Sequence, residues 1–227
     1  MNNNLIKSFI IHARKYRETS MIYDVLTEEQ GLISILAKGI KSKKDGFILQ
    51  PFRELQLSYT ERTLPLLTKY EIVSSYLEAS NKFMLESLYF NELIYRFIPK
   101  NEPLLTLYNL YKEHLNYMNT TSDKRLIVLL RFEIIFLKEI GYELHISYPL
   151  DYIIDEKNFF YYDYESGFKE VTKNTQHSDV ISGSSLKRLL NNELALILEK
   201  KVLRNIIRDI FRKLAGTRSI KSYDILD

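Results

Sequence analysis

The chain has 227 residues, 45% of them apolar and 27% charged, which is enough for a buried core in one large domain or two small ones. A net charge of +3 does not by itself announce a nucleic-acid partner, and the absence of cysteine excludes disulfides, thiolate metal sites and cysteine nucleophiles. No apolar run approaches the ~20 residues that cross a bilayer, and "MNNNLIKSFIIHARK" has neither a basic leader nor a small-residue cleavage site, so the expected location is cytoplasmic.

The first part reads as strands. "LIKSFIIHA" (Leu5–Ala13), "MIYDVLT" (Met21–Thr27) and "GLISILAKG" (Gly31–Gly39) are short and rich in β-branched residues. "FRELQLSYT" (Phe52–Thr60) alternates apolar and polar positions, and Leu64–Tyr76 supplies a fifth candidate. Glu29-Gln30-Gly31 makes a tight turn between the second and third. Five short strands at this spacing predict a small closed barrel, of which the oligonucleotide-binding (OB) barrel is the commonest; an SH3-like barrel is the structural rival. After the third strand comes "KGIKSKKDG", with Lys38, Lys41, Lys43 and Lys44 on one short connection. It is either a loop kept soluble by lysines or a phosphate-binding edge.

From about Glu78 the apolar period changes to 3.6. Phe83, Leu85, Leu88, Tyr89, Leu93 and Phe97 fall along one helix, stopped by Pro99. Pro103 opens a second, and "KRLIVLLRFEIIFLKEIG" makes a third that is apolar nearly all round and ends at Gly141. Residues 142–183 form an irregular insertion with one hairpin, "ESG" being its turn. "SGSS" then caps the helix of "SSLKRLL", and a long last helix carries Lys200, Lys201, Arg204, Arg208 and Arg212 near one another. The fold class expected is α+β: an OB barrel over residues 1–78, followed by a mainly α-helical domain over 79–227 with a small irregular or β insertion.

Catalysis leaves no constellation behind. The chain has no glycine-rich phosphate loop, no His-Glu-x-x-His helix and no Gly-x-Ser-x-Gly elbow. His12, His114, His145 and His177 have no metal-ligand spacing, and acidic pairs such as Glu28-Glu29 sit in turns. Charge placement remains: "HARKYRE" (Arg14, Lys15, Arg17), the lysine connection and the last helix are basic, with Tyr16 inside the first cluster. Basic grooves with nearby aromatics hold single strands, and phosphate contacts need charge and reach but no particular sequence. An unrecognised hydrolase or nucleotidyl transferase is the remote alternative.

Several segments in register resemble the RecO family of bacterial DNA repair proteins. They are "HARKYRETSMIYDVLTEEQGLISILAKGIKSKK" with "LQPF", then "LYFNELIYRFIPKNEPLLTLYNLY", "LRFEIIFLKEIGYEL" and "LAGTRSIKSYDIL". Together they cover most of the chain, the insertion being the poorest match. The resemblance implies a non-enzymatic recombination mediator in the nucleoid. It would bind single- and double-stranded DNA, anneal complementary strands, and with RecR help load RecA onto strands coated by single-stranded DNA-binding protein. The acidic C-terminal tail of that protein is a further implied partner, and RecF a candidate one; no membrane is involved. A protein-interaction adaptor that binds acidic tails and touches DNA weakly is the alternative.

By position, Lys38 and Lys41 match the family's basic positions after the third strand. Arg14, Lys15, Arg17, Lys43 and Lys44 join them on charge placement alone. Arg131 lies in the helix the family uses near its acidic-tail site, where several relatives read Leu-Arg-Arg-Phe and this chain reads Leu129-Leu130-Arg131-Phe132. Arg204 or Arg208 of the last helix is the expected substitute for the missing arginine. Many relatives hold zinc with four cysteines around the insertion; with none here, zinc and other cofactors are not expected. The aromatic cluster Phe159, Phe160, Tyr161, Tyr162 and Tyr164 would hold the insertion by packing instead.

Overall fold

The computed structural model describes residues 5–40, 47–60, 62–76, 83–117, 125–147, 153–172 and 177–226. The chain divides into two compact units, Met1–Thr120 with Lys221–Asp227, and Thr121–Ile220. The change of period near residue 78 marks a change of element type, while the first unit also takes in two helices and the end of the chain.

In the first unit, β1 (Ile6–Tyr16), β2 (Ser20–Thr27), β3 (Gly31–Ala37), β4 (Arg53–Thr60) and β5 (Leu66–Ser75) form a closed barrel in the order β1-β2-β3-β5-β4. This is a five-stranded barrel of the OB type. Neighbouring strands are antiparallel except β3 and β5, which meet in parallel through the single pair Leu36–Leu66. Ile10, Val25, Ile33, Ile35, Leu55 and Leu57 fill the interior. The outer faces of β1 and β2 are buried as well, so the polar–apolar alternation expected of a half-exposed strand is lost there.

Helices cause that loss. The Phe9 ring lies 5.3 Å from Tyr108 and 5.1 Å from Tyr111 of α2 (Leu105–Tyr117). The buried carboxylate of Glu54 on β4 accepts from the Tyr108 hydroxyl at 2.9 Å, the Lys112 ammonium at 2.7 Å and the Ser74 hydroxyl at 3.1 Å. Burial would raise its pKa, but these three hydrogen bonds and the Lys112 charge more than offset that and hold it low.

In α1 (Met84–Phe97) the buried face is Tyr89, Phe90, Leu93 and Ile94 with Glu86, Ser87 and Asn91. Leu85 and Leu88, expected on the core stripe, are instead exposed and share their face with Glu92 and Tyr95, at i, i+3, i+7 and i+10. Glu92 holds the returning chain end. Its carboxylate accepts from the backbone N–H groups of Lys221 (2.9 Å) and Ser222 (2.8 Å) and from the Ser222 hydroxyl (2.5 Å). Tyr223, at the start of α6 (Tyr223–Leu226), packs its ring 5.4 Å from Tyr89.

His114 of α2 is buried with Phe90 edge-on at 3.9 Å, and burial pushes its pKa well below the ordinary 6.5. A depressed pKa means that the unfolded chain binds the proton more readily. The stability from neutral His114 is therefore full above pH ~6.5 and is lost as the pH falls below it. Asp24, Glu54 and Glu92 also have lowered values, but their losses begin only below the ordinary carboxylate range near 4. The unfolding free energy measured between pH 7 and 5 should fall by up to ~1.4 kcal/mol per pH unit, and His114→Phe should flatten that slope.

The second unit contains α3 (Arg125–Glu139), a three-stranded sheet in the order β7-β6-β8, α4 (Gly183–Leu190), a 3-10 turn at Leu194–Leu196, and α5 (Lys200–Ala215). α3 ends in paired 6→1 and 5→2 bonds, Tyr142 N–H to Leu137 O and Gly141 N–H to Lys138 O, with Gly141 at φ +88°. The expected hairpin is β6 (Phe159–Asp163) and β7 (Gly167–Glu170). A third strand, β8 (Val180–Ser182), pairs with β6 on its other side. Phe160, Phe168 and Ile181 are almost wholly buried and hold this sheet by packing. The Ser182 hydroxyl caps α4 by accepting from the Ser185 N–H, and the Ser185 hydroxyl donates to Glu199. Among the described residues no helix is long and apolar enough to cross a membrane, and no group of three His, Cys, Asp or Glu side chains could hold a metal ion.

Candidate nucleic-acid interface

Strand register brings the first basic cluster to the exit of β3. In the β1–β2 hairpin Lys15 pairs with Met21, and Met21 pairs in turn with Ala37 at the end of β3. Three adjacent strands place the Lys15 and Ala37 backbones about 10 Å apart, and Lys38 follows Ala37 directly. Lys15, Arg17 and Lys38 are all exposed. The structure therefore gathers them at one end of the barrel, although Lys38 lies more than twenty residues from the other two in sequence. Lys41, Lys43 and Lys44 lie outside the described residues.

The hairpin is longer than the sequence suggested. A register shift between Ile10 and His12 inserts a β-bulge, and pairing continues to Tyr16–Ser20. Arg14 and Lys15 are thus strand residues, not part of a connection, and only Arg17 sits in the three-residue turn. Arg17 takes the left-handed conformation at φ +53°, with its guanidinium 5.3 Å from the Tyr16 ring centroid.

Arg14 has a structural duty. Its guanidinium donates at 3.2 Å to the fully buried carboxylate of Asp24, which also accepts from Lys100 at 2.6 Å and from the Ser34 hydroxyl at 2.5 Å. Burial would raise the Asp24 pKa. The hydrogen bonds from Lys100 and Ser34, with the charges of Lys100 and Arg14, overcome this and hold it low. Sequence reasoning missed this centre, although a lone acid inside the apolar run "MIYDVLT" was its signal.

A further exposed cation, Arg62, lies on the β4–β5 connection. The Leu36 N–H donates to Pro65 O at 2.8 Å, and because β3 and β5 run parallel, the connection before Pro65, which carries Arg62, runs back toward the start of β3. In OB barrels the β2–β3 face and the β1–β2 and β4–β5 loops are the surfaces that take oligonucleotides. That rule was the only signal that could have singled out Arg62.

In the second unit Arg131 is exposed on α3. Arg204 of α5 lies with Nε 3.7 Å from Oε1 of the buried Glu133, and Arg208 is buried. The basic ladder of α5 is therefore not one solvated face, because Arg204 and Arg208 flank the buried stripe of Leu203, Ile207 and Phe211. Lys201, Arg212 and Lys213 do face solvent, but Arg212 pairs with Asp209 at 2.7 Å and Lys213 sits 3.2 Å above the Tyr164 ring.

Comparison with known proteins agrees with this architecture. The family described as "Recombination protein O N terminal" matches residues 1–76, and "Recombination protein O C terminal" matches residues 86–216. The chain is 29% identical to the DNA repair protein RecO of Alteromonas mediterranea over 230 residues, which span 99% of this chain and 97% of that protein. It is 28% identical to the RecO of Cellvibrio japonicus over 236 residues, again covering 99% of this chain and 97% of the relative. With the RecO of Cupriavidus metallidurans the identity is 36% over 137 residues, 59% of this chain and 46% of that protein. With a five-stranded barrel under the first match and the α3–α5 unit under the second, the chain belongs to the RecO family of DNA repair and recombination proteins.

Proposed function

We propose that this chain is a non-enzymatic recombination mediator that binds single- and double-stranded DNA at the basic end of its barrel and anneals complementary strands. The observation that carries the reading is the register that aligns Lys15 with Ala37–Lys38 on a barrel whose fold suits oligonucleotides. Annealing requires two polyanions to approach each other. Flexible lysines on a strand end can screen one backbone while leaving its base edges free for the second strand. RecR, RecF and the acidic tail of single-stranded DNA-binding protein are the partners inferred from the family, with RecA loading as the outcome. For the tail we favour Arg131, which is exposed; Arg204 lies against Glu133, and Arg208 is too deep to meet a peptide without rearrangement.

The test is the salt dependence of single-strand binding. With about six phosphates neutralised, log affinity should fall with log salt at a slope of roughly −4. A slope near zero, with tight binding of the acidic tail peptide, would identify an adaptor and overturn the proposal.

A further inference from the structure

The barrel closes between β3 and β5 by one residue pair only, Leu36–Leu66. Nearer the start of β3 the two strands no longer meet, and a cavity of about 240 Å³ opens there. Its far wall is a segment beyond α1: Lys100 bridges to Leu32, and the Asn101 N–H donates to Leu32 O at 2.9 Å. Ile33, Tyr59 and Pro65 supply apolar wall, while Gln30 and Asn101 supply two amide side chains.

We infer that this cavity takes a single nucleobase of a bound DNA strand, an inference that rests on the barrel being the DNA surface. The Lys100 ammonium that lines the cavity is already neutralised by Asp24 at 2.6 Å, so the lining favours a neutral ligand over a phosphate. The Tyr59 hydroxyl donates to the Gln30 side-chain carbonyl, which leaves the Gln30 amide hydrogens to donate. Amide side chains read base edges through paired donors and acceptors, and an aromatic or apolar wall accepts a base face. Phosphate-binding charge lies about 13 Å from the cavity, since Lys38, just past the end of β3, is four residues on from Ser34. A strand held at Lys38 thus has an unstacked base within reach of a neutral, amide-bearing slot. Bases paired in a duplex cannot enter it, so the site separates single from double strands.

The test uses Gln30→Ala/Asn101→Gly, in which glycine suits the +64° φ of Asn101. Binding is measured to a mixed-sequence single strand, to the same backbone with abasic sites, and to the matching duplex. The parent should prefer the base-bearing strand to the abasic one by about 10-fold. The double variant should lose that preference while keeping its duplex and abasic affinities. A variant that keeps the preference overturns the proposal, as does a parent that binds base-bearing and abasic strands equally, in which case the barrel remains a DNA surface without a base pocket. A parent that binds neither strand removes the underlying DNA reading as well.

Discussion

Gly31→Ala should lower the melting temperature of the barrel unit by roughly 10 °C. Gly31 opens β3 at φ +68°, and a Cβ there would lie 1.7 Å from the carbonyl oxygen of Glu102. That oxygen belongs to backbone held by the Leu32–Lys100 bridge and the Asn101 N–H to Leu32 O bond, so it cannot swing aside as a side-chain tip would. The left-handed conformation costs an L-residue about 1–2 kcal/mol, and forced overpacking adds about 1–3 kcal/mol. Gly141 separates the two effects. It has a similar φ of +88° but nothing within 4 Å of its Cβ position, so Gly141→Ala should cost only the conformational part. Thermal unfolding of both variants checks this, and equal small shifts would mean that the β3–Glu102 contact is looser than described.

Lys15→Glu/Lys38→Glu should weaken single-strand binding by ~10²-fold at low salt and make the salt slope shallower by roughly 1.4, two phosphate contacts at about 0.7 each. These two lysines are the clean choice. Both are exposed, and among the described residues neither has an acidic partner, so their reversal leaves the barrel's internal network intact. Arg14 would be a poor choice, because truncating it removes a counter-charge from buried Asp24 and confuses binding with stability. Arg17→Gly is a milder companion, since glycine accepts the +53° φ while one cation is removed. The double reversal should leave the unfolding free energy within about 0.5 kcal/mol of the parent, as for most surface changes.

The barrel was legible in the sequence because five short segments carry β-branched alternation and turn residues, signals that act locally. What stayed hidden depends on distant partners. The bulge at Ile10–His12 that lengthens β1, and so lifts Arg14 and Lys15 onto a strand, is fixed by pairing with β2 and leaves no periodic trace. β8 is three residues long, too short to show a period, and exists because β6 offers it an edge. Leu85 and Leu88 looked like core because they are apolar at helical spacing, yet the barrel and the returning chain end select the Tyr89–Phe90 face. The same limit applies to α5, where arginines four apart read as a solvent ladder until Glu133 and the apolar stripe beside them are known. Lys15 and Lys38 illustrate the converse. Their charge is visible in the sequence, and only the register of β1, β2 and β3 shows that they share one end of the barrel.

Whether the basic end of the barrel handles DNA is read from annealing of two complementary oligonucleotides coated with single-stranded DNA-binding protein, followed by fluorescence quenching. The parent is compared with Lys15→Glu/Lys38→Glu after both are shown to fold and to bind the acidic tail peptide. The parent should anneal the strands rapidly and the variant should not, with peptide binding retained. Annealing by the variant at the parent's rate would make the basic end of the barrel a solvated edge with no part in strand pairing.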